Sequence, residues 1–212
     1  MVQPLILFDF DGVLVDSTAV VVEAFNQALR ERGLEEVSKQ QLASAPTERL
    51  ARSAGLWFWQ VPGFMDLFRA RVQEALSEVC LHAELEELLV SFSRYAELGV
   101  VSSVDEQVVR GVLEEAGVSE LFSGVYASTY FSLNKGIRLA RKEAVVDAFR
   151  VLYVSDEPRG VYAARRAGVD SLAVTWGLSS KEVLLAARPR MLASSFSEAE
   201  HLVKAWLVSR GD

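Results

Sequence analysis

The chain has 212 residues, a net charge of −7, 50% hydrophobic residues and 24% charged residues. That length suits a single core or a core with a modest insertion, and the composition excludes disordered, collagen-like and low-complexity chains. No apolar run reaches the ~20 residues of a membrane span, and the acidic balance argues against nucleic acid or anionic lipid as a partner.

Leu5-Ile6-Leu7-Phe8 is a short apolar run closed by Asp9-Phe10-Asp11-Gly12, the pattern of a buried strand ending in a polar turn. It has no basic stretch before it and no small-residue cleavage site, so it does not read as an export signal. Cys80 is the only cysteine. No internal disulfide can form, and a reducing, cytoplasmic setting is expected. Ser17 or Thr18 can cap a helix running to about Arg32, with Val21, Val22, Phe25, Ala28 and Leu29 at helical spacing. Residues 36–90 read as helical throughout: one helix through Leu50 ending near Gly55, a long one from Pro62 to Val79, and another from Glu84 to Tyr95. The aromatics Trp57, Phe58, Trp59, Phe64 and Phe68 read chiefly as packing residues of this stretch.

Beyond residue 98 the rhythm changes. Strand patterns at 99–103, 124–127, 151–154 and 171–174 alternate with helix patterns at 105–116, 136–148 and 159–167, and helices follow at 182–187 and 197–208. Alternation of this kind predicts an α/β fold, a doubly wound parallel sheet. The arrangement expected is a core of residues 1–15 and 91–212 with a small helical cap, 16–90, inserted after the first strand.

In such sheets ligands bind at the carboxyl ends of the strands. The polar residues expected there are Asp9, Asp11, Ser102, Ser103, Asp156 and Glu157, with Lys135 just ahead of a helix. Carboxylates, hydroxyls and one lysine on converging strand ends suit an oxygen-liganded magnesium ion and an anionic substrate. Cys80, His82 and His201 have no partners at ligand or triad spacing.

The run from Phe8 to Ser17, with Asp9-Phe10-Asp11-Gly12-Val13-Leu14-Val15-Asp16 inside it, resembles the first motif of the haloacid dehalogenase (HAD) superfamily, in its phosphoglycolate-phosphatase-like branch. Tyr153-Val154-Ser155-Asp156-Glu157-Pro158-Arg159-Gly160, followed by Val174-Thr175-Trp176-Gly177, resembles the fourth motif. The resemblance implies a Rossmann-like core and a magnesium-dependent phosphatase acting on a small phosphorylated metabolite. Asp9 would be the nucleophile and Asp11 the general acid and base. Ser102 would hydrogen-bond the phosphoryl group, with Ser103 as competitor, and Lys135 would pair with nucleophile and phosphate. Asp9, Asp11 (through its main-chain carbonyl) and Asp156 would hold the metal. The chain departs from the pattern at Ser155, where glycine is usual, and at Gly160, where a second aspartate is usual. Loss of that acid is expected to weaken metal binding by roughly 10–100-fold. A catalytically weakened binding module of the same fold is therefore the alternative, with a phosphomutase a further one. Monomer and homodimer are both open.

Overall fold

The computed structural model describes residues 3–45, 47–76, 79–128 and 132–210. Six strands form one all-parallel sheet: β1 (Leu5–Phe8), β2 (Glu97–Ser102), β3 (Phe122–Ala127), β4 (Val151–Ser155), β5 (Asp170–Val174) and β6 (Met191–Ala193). Their order across the sheet is β3-β2-β1-β4-β5-β6. The expected α/β doubly wound architecture is thus present.

The central strands are buried on both faces, as a parallel sheet requires. Ile6 and Phe8 join the larger hydrophobic cluster with Leu98, Val100, Leu152, Val154 and Leu172, while Leu5 and Leu7 join a second cluster with Val101, Val151 and Tyr153. The larger cluster is covered by α5 (Leu85–Ser93), α6 (Glu106–Glu115) and α10 (Phe196–Val208). The second is covered by α7 (Leu133–Glu143) and α8 (Pro158–Ala167). Alternate residues of one strand therefore feed opposite layers.

Between β1 and β2 every regular element among the described residues is helical: α1 (Thr18–Arg30), α2 (Lys39–Ser44), α3 (Thr47–Ser53), α4 (Val61–Ala75) and α5. Phe25 of α1 meets Phe64 and Phe68 of α4 edge-to-face, with ring centroids 5.1 and 5.3 Å apart. The α1–α4 pair is the framework of this insertion.

Several expectations need correction. Ser17 does not cap α1 through its side chain; its hydroxyl accepts the Gly12 N–H instead. The helix expected through Leu50 is α3, which ends at Ser53, two residues before Gly55. The helix expected over 136–148 is α7, which stops at Glu143 because Val145 takes a left-handed backbone (φ 52°). β6 was missed: three residues pairing on one side only are too short to show a period. Trp57, Phe58 and Trp59 do not pack inside; they are 64, 71 and 61% exposed. No helix among the described residues is long and apolar enough to cross a membrane.

Candidate active site

The strand order places a topological switch between β1 and β4, and the carboxyl ends of these two strands open onto one crevice. Asp9 is the first residue after β1, anchored by its N–H to the Val154 carbonyl at 2.9 Å. Phe10 then turns fully into the core. The chain reverses over residues 10–15, with the Leu14 and Val15 N–H groups on the Phe10 carbonyl and the Gly12 N–H on the Val15 carbonyl. This tight turn brings Asp11 back beside Asp9.

Asp156 is the first residue after β4. Its Oδ2 accepts the Leu178 N–H at 2.8 Å. A Cβ on Gly12 or on Gly177 would fall inside 3.0 Å of the Asp156 side chain. Gly12 also needs its freedom for φ 68°. The Asp156 carboxylate therefore lies in a slot walled by two glycine backbones, and both glycines are required for it to fit.

Burial pushes Asp9 up to about 6, with the charge of Glu157 adding and that of Arg159 opposing. Burial and then the charge of Asp9 push Asp11 up to about 7. Asp156 stands well above the usual carboxylate range, mainly through burial and then through Glu157 and Asp9. Oδ1 of Asp11 is buried with no hydrogen-bond partner among the described residues. Three crowded, desolvated carboxylates and one orphaned oxygen are relieved by a divalent cation. No group of three or more His, Cys, Asp and Glu side chains among the described residues has metal-ligand spacing. The set still fits magnesium, which takes one or two carboxylates and completes its shell with carbonyl oxygen and water.

Beside Asp11 and Asp156 lies a solvent-open cleft between the core and the helical insertion. The core lines it with Asp11, Asp156, Ser103, Val104 and Arg159. The helical insertion lines it with Thr18 and Val21 of α1 and Phe68, Arg69, Val72 and Gln73 of α4.

The structure thus gathers Asp9, Asp11 and Asp156. It places Ser102 at the buried end of β2, where its Oγ accepts the Val104 N–H at 3.0 Å, while Ser103 faces the cleft. Lys135 lies in the first turn of α7, exposed and outside the residues lining the cleft. Three residues that the sequence did not point to as part of the site are brought to it by the structure. Arg159 pairs with Glu157 and its charge favours the anionic form of all three aspartates. Ser17 hydrogen-bonds Asp11 and closes the turn at Gly12. Tyr153, fully buried, directs its hydroxyl to the Asp9 carboxylate and to the Val101 carbonyl, 3.4 Å away. Tyr153 and Ser155 are two apart on a strand facing Asp9, a signal that alternation along β4 already contained.

Comparison with known proteins bears on the family and the fold. The family model described as haloacid dehalogenase-like hydrolase matches residues 6–174. A phosphoglycolate phosphatase of Synechococcus elongatus is 34% identical over 199 residues, covering 91% of this chain and 93% of that protein. One from Vibrio parahaemolyticus is 24% identical over 217 residues, covering 94% and 95%. Among solved structures, a predicted phosphatase from Clostridium acetobutylicum superposes with a TM-score of 0.81 at 20% identity, covering 97% of this chain and all of that one. A haloacid dehalogenase-like hydrolase from Streptococcus pneumoniae gives 0.77 at 22% identity, covering 96% and 98%. At these identities the structural likeness speaks for the fold.

Proposed function

We propose, since this chain belongs to the haloacid dehalogenase-like hydrolase family, that it is a magnesium-dependent phosphatase of a small phosphorylated metabolite, acting through an aspartyl-phosphate on Asp9. The observation that carries this reading is the meeting of Asp9, Asp11 and Asp156 at the switch point of the sheet, with Asp11 and Asp156 lining one cleft and Asp9 buried beside them.

A carboxylate oxygen of Asp9 attacks phosphorus in line, and the bond from phosphorus to the leaving alcohol breaks. Asp11, whose carboxyl titrates near 7, gives its proton to the alcohol. The resulting carboxylate takes a proton from water, which attacks the same phosphorus, releases phosphate and restores Asp9. A group titrating near working pH serves as acid and base in turn. Magnesium, when bound by Asp9, Asp156 and the Asp11 carbonyl, supplies charge neutralisation for the phosphoryl oxygens. Arg159 adds positive charge from the core side. Ser102 fixes the loop after β2 and Ser103 offers a hydroxyl to the phosphoryl group; Lys135, the lysine that the family resemblance assigns to it, stands outside the cleft lining and would have to reach in. The helical insertion gates the cleft and excludes bulk water during the first step.

Arg69 is the cation that the insertion contributes to the cleft. A phosphomonoester carrying a second anionic group, such as phosphoglycolate, fits that placement and the names of the relatives. The alternative, a module that binds a phosphorylated ligand without turning it over, draws on Lys135 standing outside the cleft. Phosphate release from p-nitrophenyl phosphate and from a panel of phosphorylated metabolites, with magnesium or with EDTA and beside Asp9→Asn, separates the two. Magnesium-dependent turnover lost in Asp9→Asn is expected; folded protein without phosphate release from any substrate would overturn the phosphatase reading.

A further inference from the structure

Ser155 is the last residue of β4 and Gly160 the third residue of α8, and between them they have room for one side chain. A Cβ on Gly160 would lie inside 3.0 Å of both Oγ and Cβ of Ser155 and 3.2 Å from Cε1 of Tyr153. Rotation about the Cα–Cβ bond could move Oγ, but not Cβ, which is fixed to a central strand. The helix has little freedom to retreat, because Val161, Ala163, Ala164 and Ala167 pack it against the core. A side chain at 160 therefore excludes one at 155.

This chain has placed its one side chain on the strand, and what it presents is a hydroxyl. Ser155 Oγ accepts the Glu157 N–H at 3.3 Å and lies 3.4 Å from Oδ2 of Asp9 and 3.5 Å from the Glu157 carbonyl. Its single proton goes to the carboxylate, since a charged acceptor outcompetes a neutral one. Ser155 is buried, so bulk water does not compete. On its other oxygen, Oδ1, Asp9 accepts the Phe10 N–H at 3.0 Å.

We propose that Ser155 is a positioning residue for Asp9, its hydroxyl fixing the nucleophile's carboxylate from the side opposite Phe10, and that Gly160 is its obligatory complement. The positioning role rests on Asp9 being the nucleophile; the steric interlock does not. Restoring an aspartate at 160 alone therefore fails to repair the site, because Ser155 occupies the space.

Wild type, Ser155→Ala, Ser155→Gly, Gly160→Ala and the double variant Ser155→Gly/Gly160→Ala test both parts. Melting in EDTA reads the interlock without metal or substrate. Gly160→Ala is expected to lose about 5 °C or more, or not to fold, and the double variant to recover most of that loss. Losses that simply add would overturn the interlock. Hydrolysis of p-nitrophenyl phosphate in magnesium reads the positioning. Ser155→Ala is expected to lower kcat about 3- to 10-fold with KM unchanged, the scale of one hydrogen bond. Wild-type kcat in Ser155→Ala would overturn the positioning role and leave the phosphatase reading standing. A wild type without turnover would overturn both, with the melting comparison still deciding the interlock.

Discussion

Asp11 has a buried oxygen without a partner and a carboxyl pushed up to about 7. A folded-state pKa above the unfolded value means that the folded protein binds more protons between the two. Stability is then full below about pH 4 and is lost as pH rises through about 7. In EDTA, Asp11→Asn should therefore melt higher than wild type. Its advantage should grow from pH 4 to 7 and level off above, reaching on the order of 10 °C. A pH-independent difference would show that Asp11 is not desolvated as described. The two serines after β2 make a second pair to separate. Ser102→Ala removes the acceptor of the Val104 N–H and should lower the melting temperature. Ser103→Ala should leave melting unchanged and reduce kcat/KM by about 3- to 10-fold. Full activity in Ser103→Ala, with a loss in Ser102→Ala, would return the phosphoryl contact to Ser102. The first motif made Asp9 and Asp11 legible because their spacing is local. The choice between Ser102 and Ser103 was not, because it turns on which way a strand end faces.

α4 has two faces with different work. Phe64 is fully buried against Phe25, while Arg69 and Gln73 line the cleft. Phe64→Ala should cost about 3–5 kcal/mol through loss of contact and a residual cavity, a fall of roughly 6–20 °C by thermal melting. A fall under 2 °C would mean that the insertion collapses around the gap. Arg69→Met keeps the length and removes the charge. It should raise KM for phosphoglycolate about tenfold and leave that for p-nitrophenyl phosphate within about twofold, since only the first carries a second anion. Equal effects on both substrates would remove Arg69 from recognition. Helical period in the sequence revealed the apolar face of α4. The exposed Trp57, Phe58 and Trp59 were misread because composition cannot tell a buried aromatic from one at a turn.

At the scale of the whole molecule, the sheet order brings residues 9, 11 and 156 together across 145 positions of chain. A cation bridging the ends of β1 and β4 should tie the fold together by mass action. At a hundredfold excess over its dissociation constant it adds about 2.7 kcal/mol, so saturating magnesium at pH 7.5 should raise the melting temperature by roughly 5–10 °C. Asp156→Asn should abolish most of that rise; an unchanged rise would place the ion elsewhere. The sequence by itself determined the strand–helix alternation, the helical insertion and the aspartates at the strand ends, because each is written in the period or spacing of one continuous segment. Tertiary structure alone decided the glycine slot around Asp156, the exclusion between Ser155 and Gly160, the approach of Arg159 and which residues line the cleft. These depend on ångström-scale separations between segments, and close packing, not local preference, sets such separations.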